Sequence, residues 1–240
     1  MKIIISGYGR MGREVEKAAG QMGHEIAAII DTKEDWDDMD RENPDADVVI
    51  DFSQPDAVTN IIERCFHRQL PVVTGTTGWY DELPRMKEIC HASDGTLFYA
   101  PNFSLGVNLF YLANRFLAKT MSAFENYNVL ISETHHVHKL DAPSGTAIKT
   151  AEDIVGLHAK YHTWVKGDES GRGKLPVISY RKDEVPGTHT VTYTSDADLI
   201  ELKHEAKNRS GFVAGAIQAA EWVRDKRGIF TMDDLIKSML

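Results

Sequence analysis

The strongest constraint in this chain is the hexapeptide Gly7-Tyr8-Gly9-Arg10-Met11-Gly12. It follows directly on the β-branched run Lys2 to Ser6 and opens an amphipathic stretch with Met11, Val15, Ala18, Ala19 and Met22 at helical spacing. A strand that ends in three spaced glycines and continues as a helix is the start of a βαβ unit. Gly7 permits the tight turn, Gly9 lets the backbone approach a pyrophosphate, and Gly12 lets helix and strand pack closely. The first helical turn, with Arg10 and Met11, offers unpaired N–H groups to an anion. The motif therefore predicts dinucleotide binding. Asp31, at the end of the second strand, stands where a carboxylate accepts hydrogen bonds from an adenosine ribose and repels a 2′-phosphate. Lys33, two residues on, can offset such a phosphate, so NADH and NADPH both remain open, with NADH favoured.

The rest of the first hundred residues continues the alternation. Strands are expected at His24 to Ile30, Asp47 to Phe52, Pro71 to Thr74 and Thr96 to Tyr99, with helices at Arg10 to Met22, Ala57 to Arg68 and Tyr80 to His91. Short apolar strands between amphipathic helices predict a parallel, doubly wound α/β sheet of Rossmann type. The acidic run Glu34 to Glu42 is expected as a solvated loop. After Asn102 the pattern changes to a helix from Leu105 to about Met121, a strand from Tyr127 to Thr134, a His-rich loop, and a helix from Ser144 to about Lys160. Three strand-like runs follow, Leu175 to Arg181, Thr188 to Thr194 and Leu199 to Ala206, with turn signals between them at Pro186-Gly187 and Ser195-Asp196. Their close spacing predicts antiparallel pairing. Helices at Gly211 to Arg224 and Thr231 to Met239 are placed back on the first domain. The expected division is 1–101 with 209–240 as a dinucleotide domain, and 102–208 as a second, α+β domain with a mixed, largely antiparallel sheet.

Composition narrows the function classes. Lys and Arg number 27 against 36 for Asp and Glu, a net charge of −9, which argues against a nucleic-acid binder. No run approaches 18 apolar residues, and Ile3-Ile4-Ile5 is too short for a secretory signal, so no membrane association is expected. Cys65 and Cys90, both in helix-like segments, read as packing thiols in a reducing cytoplasm.

The densest chemistry lies in the fifteen-residue stretch Glu133-Thr134-His135-His136-Val137-His138-Lys139-Leu140-Asp141-Ala142-Pro143-Ser144-Gly145-Thr146-Ala147. Ser144 reads as a helix N-cap, and a helix N-terminus with open amides is an anion pocket. Lys139 adds positive charge, so the loop should attract a carboxylate. His135 or His136 can supply a proton near neutral pH, which a reduction needs where negative charge builds beside the carbon that receives hydride. Metal ligation by His135, His136, His138 and Asp141 is the rival chemistry. Adjacent loop residues point apart, however, and neither a helical i, i+4 His pair nor a Cys pair is present, so no metal is expected.

This string, with the glycine turn and with Gly75-Thr76-Thr77-Gly78 and Pro101-Asn102-Phe103-Ser104-Leu105-Gly106-Val107-Asn108, resembles the 4-hydroxy-tetrahydrodipicolinate reductase family, also called dihydrodipicolinate reductase. The resemblance spans nearly the whole chain. It implies reduction of 4-hydroxy-tetrahydrodipicolinate to tetrahydrodipicolinate with NAD(P)H in diaminopimelate and lysine biosynthesis. By position it implies that His135 is the general acid, that Lys139 assists proton donation, and that His136, Lys139, Ser144, Gly145 and Thr146 hold the carboxylates of a cyclic dicarboxylate. Gly75, Thr77, Ala100, Pro101, Asn102 and Phe103 would border the nicotinamide half of the cofactor, and Arg209 would reach the cofactor or close over it. A homotetramer built through the sheet of the second domain is the implied assembly. The stretch between Asp31 and Asp51 leaves little room for an extra helix found in some relatives, and Thr32 stands where an arginine would stack on a 2′-phosphorylated adenosine. Two alternatives keep the same plan: another small-substrate dehydrogenase, or a nucleotide sensor without catalysis.

Overall fold

Ile3, Ile4 and Ile5 are wholly buried in β1 (Lys2–Ser6), the pattern of a strand covered on both faces. In the computed structural model, which describes residues 1–169, 171–208 and 210–239, β1 pairs in parallel with β2 (Glu25–Ile30) on one side and β3 (Val48–Asp51) on the other. β4 (Val72–Thr74), β5 (Thr96–Tyr99) and β11 (Gly228–Phe230) extend the sheet, giving the order β11-β5-β4-β3-β1-β2, parallel throughout. The strand order reverses between β1 and β3, and in open α/β sheets ligands bind beyond the carboxyl ends of the strands at that point.

Helices α1 (Arg10–Gln21) and α7 (Ser210–Val223) cover one face of this sheet, where Val15, Ala19, Val213, Ala216 and Ala220 pack on Ile3, Ile5 and Phe98. Helices α3 (Val58–His67) and α4 (Leu83–Ala92) cover the other with Ile61, Ile62, Phe66 and Met86. Both thiols are buried there; burial raises the pKa of each, that of Cys90 to about 11.

The acidic run is not a loop. It forms α2 (Lys33–Glu42), begun by a capping box in which the Thr32 hydroxyl accepts from the Asp35 N–H and the Asp35 carboxylate accepts from the Thr32 N–H. Trp36 and Met39, three residues apart, bury its inner face. The local capping signal and this apolar pair outweigh the charge that suggested a solvated segment. β11 was likewise not anticipated, being only three residues long.

The chain divides into two compact units, Met1–Leu105 with Ser210–Leu240, and Gly106–Arg209. The second contains a mixed five-stranded sheet in the order β10-β9-β6-β8-β7, formed by β6 (Asn128–His135), β7 (Thr163–Lys166), β8 (Lys174–Arg181), β9 (Thr188–Thr194) and β10 (Leu199–Glu205). The expectation that the last three runs pair with one another holds for β9 and β10 only. β6 inserts between β8 and β9, parallel to the first and antiparallel to the second, and the unanticipated β7 pairs in parallel with β8. One face of this sheet packs on α5 (Leu105–Met121) and α6 (Gly145–Leu157), through Val107, Phe110, Ala147, Ile154, Ile131, Val177 and Val191.

Candidate active site

In the first unit the glycine turn fits a dinucleotide on stereochemical grounds. A Cβ on Gly12 would lie 2.2 Å from the Gly7 carbonyl oxygen, and one on Gly7 would lie 2.4 Å from that of Phe52, whereas nothing stands within 4 Å of the Cβ position of Gly9. Two glycines are thus required for packing, and the third opens onto space at the N-terminus of α1. That terminus has no side-chain cap and no acidic residue in its first turn, so its N–H groups are available to an anion. Arg10 is exposed and Met11 half-buried beside it. The exposed Asp31 carboxylate accepts the Tyr8 N–H at 2.6 Å, which holds it against the turn.

Beneath the β4 loop lies a group that the sequence reading did not single out. The fully buried Asp51, at the end of β3, accepts hydroxyls from Ser6 at 3.0 Å, Thr74 at 2.7 Å and Thr76 at 2.8 Å, and its carbonyl accepts the Gly75 N–H. Burial raises the pKa of its carboxyl against the pull of these hydroxyls. The network fixes Gly75 and Thr77, which sit at the carboxyl ends of the strands, with Thr77 exposed. Farther along, Pro101 is exposed and Asn102 half-buried, whereas the side chains of Ala100 and Phe103 lie in the core, Phe103 against Phe52 and Phe98. Contact of Ala100 or Phe103 with a ligand would therefore run through backbone. Arg209 lies outside the described residues.

The second unit carries the histidine cluster. Along β6, Val129, Ile131, Glu133 and His135 are buried while the residues between them are less so, so the apolar inner face turns polar at its carboxyl end. His135 is the last residue of the strand, not a loop residue. Glu133 stands opposite His189 of β9 and Ser179 of β8, and His135 opposite Arg181. From α6, whose N-cap is Ser144, the Ser144 N–H donates to Glu133 Oε1 at 3.0 Å, and the Ser144 hydroxyl accepts the Ala147 N–H at 3.2 Å and lies 3.1 Å from His189 Nε2.

Electrostatics sort these groups. Burial alone would raise Glu133, but the polar groups of His189, Ser144 and Ser179 that face it bring it down to about 2, so it is ionised. Burial, then the neighbouring His189, lowers His135 to about 4 despite Glu133. In the free protein at neutral pH its ring is uncharged. Lys139 is paired with Asp141 at 2.7 Å, and Arg181 donates from Nε to the Lys139 carbonyl at 3.1 Å and from Nη2 to the Asp141 carbonyl. His136 is half-buried, Gly145 is exposed with open space at its Cβ position, and Thr146 follows it in the first turn of α6, which has no acidic residue.

Arg181 and His189 were missed by the sequence reading, and Glu133, which opens the quoted string, was given no role there. Glu133 and His189 left a trace: each is a polar residue at an inward position of an alternating strand, Val129-Ile131-Glu133 and His189-Val191-Tyr193. Glu133, His135 and His189 are also the one group of metal-ligand type brought together among the described residues. Within this group Glu133 Oε1 accepts the Ser144 N–H and pairs with Arg181 at 3.6 Å, while Oε2 faces both imidazoles.

The chain is similar to known proteins along its whole length. Residues 1–103 match the family model described as "Dihydrodipicolinate reductase, N-terminus", and residues 106–236 the one described as "Dihydrodipicolinate reductase, C-terminus". The chain is 45% identical to the 4-hydroxy-tetrahydrodipicolinate reductase of Christiangramia forsetii, covering 100% of this chain and 99% of the relative. It is 36% identical to that of Archaeoglobus fulgidus, over 99% and 100%. Among solved structures it is similar to dipicolinate-bound dihydrodipicolinate reductase from Paenisporosarcina sp. TG-14, with a TM-score of 0.76 and 25% identity over 96% of this chain and 97% of that one. A probable dehydrogenase from Thermotoga maritima, 12% identical with a TM-score of 0.57 over 94% and 88%, shares the fold. With both halves matched and full-length relatives above 30% identity, the chain belongs to the 4-hydroxy-tetrahydrodipicolinate reductase family, a family of NAD(P)H-dependent oxidoreductases of diaminopimelate and lysine biosynthesis.

Proposed function

We propose that this chain reduces 4-hydroxy-tetrahydrodipicolinate to tetrahydrodipicolinate with His135 as the general acid. The observation that carries the reading is the shared carboxylate of Glu133, which ties the end of β6, bearing His135, to the open N-terminus of α6. A proton donor and an anion pocket are thereby fixed relative to each other. Gly145, Thr146, His136 and Lys139 receive the carboxylates of the cyclic dicarboxylate, with the helix N-terminus and the lysine supplying positive potential. Lys139 exchanges its pairing with Asp141 for the substrate, which frees the ammonium to assist proton donation.

NAD(P)H, held by Gly7, Gly9, Arg10, Met11, Gly12 and Asp31 and bordered by the 75–77 and 100–103 loops, supplies the hydride when bound. His135 supplies the proton. Although the ring is neutral in the free protein, a dianion beside it opposes the effects of burial and of His189, and raises its proton affinity into the working range. Ser144 orients the ring indirectly, through Glu133. Loss of the substrate hydroxyl as water completes the conversion.

NADH is the preferred cofactor in this reading. At the start of α2 the Thr32 hydroxyl already takes the Asp35 N–H and the Asp35 carboxylate the N–H groups of Asp31 and Thr32, and Asp31 and Glu34 add negative charge where a 2′-phosphate would need positive charge. The assembly is a homotetramer through the outer face of the second unit's sheet, where Tyr180 and Leu199 stand exposed. Two buried, unbridged thiols suit the cytoplasm. The test of the activity is NADH oxidation when pyruvate, aspartate semialdehyde and the upstream condensing enzyme are supplied together. A rate equal to that without this protein, with bound cofactor demonstrated, would favour a sensor.

A further inference from the structure

Beyond its tie to Glu133, the ring of His135 is flanked by groups that decide which of its two nitrogens carries the proton. Glu133 Oε1 accepts the Ser144 N–H at 3.0 Å and faces Arg181 Nη1 at 3.6 Å. Oε2 faces two imidazoles, His135 Nδ1 at 3.4 Å and His189 Nε2 at 3.6 Å. The two rings meet edge to face with centroids 5.0 Å apart, and all three side chains are buried. His189 Nε2 also lies 3.1 Å from the Ser144 hydroxyl oxygen, so His189 bridges the carboxylate and the N-cap.

Charge decides where the protons sit. A buried carboxylate oxygen needs a donor, and an imidazole lone pair turned toward it would be repelled. His135 therefore presents Nδ1–H to Oε2, and 3.4 Å is a separation that a small ring rotation closes to a hydrogen bond, as happens when ligand binding tightens a site. Nε2 is then the ring nitrogen left to exchange a proton with a ligand. Gly187 keeps it clear: a Cβ at position 187 would lie 3.0 Å from His135 Nε2.

We propose that Glu133 is a positioning residue that holds His135 in the Nδ1–H tautomer, so that the proton taken up from solvent when the dianion binds sits on Nε2, the atom that then donates it, with His189 holding the same carboxylate against Ser144. The arrangement follows the general logic of an acid or base oriented by a third group. It rests on His135 being the proton donor.

The test is a tautomer measurement on the full-length protein labelled with ¹⁵N-histidine, with the His135 resonances identified by their loss in His135→Gln. At neutral pH the wild-type ring should show a protonated, pyrrole-like Nδ1 and a lone-pair, pyridine-like Nε2. In Glu133→Gln the amide N–H replaces the acceptor, so the tautomer should shift toward Nε2–H, and kcat should fall about tenfold or more while KM for NADH stays unchanged. A wild-type ring protonated at Nε2, or a Glu133→Gln enzyme with the parent turnover, overturns the proposal. If Glu133→Gln does not fold, the wild-type spectrum alone decides. Retained activity in His135→Gln would remove the acid assignment and leave the tautomer result standing, so the two failures are distinguishable.

Discussion

The guanidinium of Arg181 holds the backbone carbonyl of Lys139 at 3.1 Å and that of Asp141 beside it, so a residue of β8 fixes the loop that carries the lysine proposed to hold the substrate. Lysine at 181 would keep the charge but lose the fork geometry that reaches two carbonyls. Hydrogen bonds to a charged group are each worth about 1.5–3 kcal/mol. Arg181→Lys should raise KM for the dicarboxylate about tenfold or more and leave KM for NADH unchanged, as steady-state kinetics with each substrate varied would read.

The glycine turn separates packing from ligand binding. Gly9→Ala meets no neighbour and should cost about 1 kcal/mol or less in stability, yet it should weaken NADH binding by at least tenfold, because the methyl group occupies the space over the α1 N-terminus. Gly12→Ala drives a methyl group into the Gly7 carbonyl at 2.2 Å and should destabilise the fold by about 1–3 kcal/mol. Thermal unfolding with and without NADH distinguishes the two.

Those glycines were legible because strand, turn and helix are contiguous, and the local signals agree with the global fold. The same holds for the Ser144 cap and the spacing of β1 to β5. β7, β11 and the insertion of β6 between β8 and β9 were not legible, since register and strand order are set by partners far away in sequence. His135 and His136 were found because they adjoin each other. Arg181 and His189 were not, and Glu133, though part of the same string, was given no role, because their meeting depends on the pairing of three strands. For α2, charge was weighed above the Thr32 to Asp35 capping box, and the cap prevailed.

Cofactor choice should follow the charge around α2. Calorimetry should find NADPH bound about tenfold or more weakly than NADH, and Asp31→Ser should narrow the gap by weakening NADH and easing repulsion of the 2′-phosphate. Equal affinities in the wild-type protein would show that Lys33 offsets the neighbouring carboxylates.

Stability should respond to acid in two windows. The folded-state pKa of His135, about 4, lies below the ordinary value of 6.5, so the unfolded chain binds the proton more tightly and stability falls as pH drops from 6.5 to 4. Glu133, held at about 2 against an ordinary 4.5, adds a loss that develops as pH falls from 4.5 toward 2. Urea unfolding across this range should show His135→Gln flatter than wild type in the upper window and parallel to it in the lower.

The most direct measurement is single-turnover reduction by His135→Gln at saturating NADH. Positioned proton donation contributes about 10² to 10⁴ in rate, so turnover should fall within that range while the affinity for NADH, read by calorimetry, stays that of the wild type. A variant that turns over at the wild-type rate would contradict the assignment of the proton to this ring.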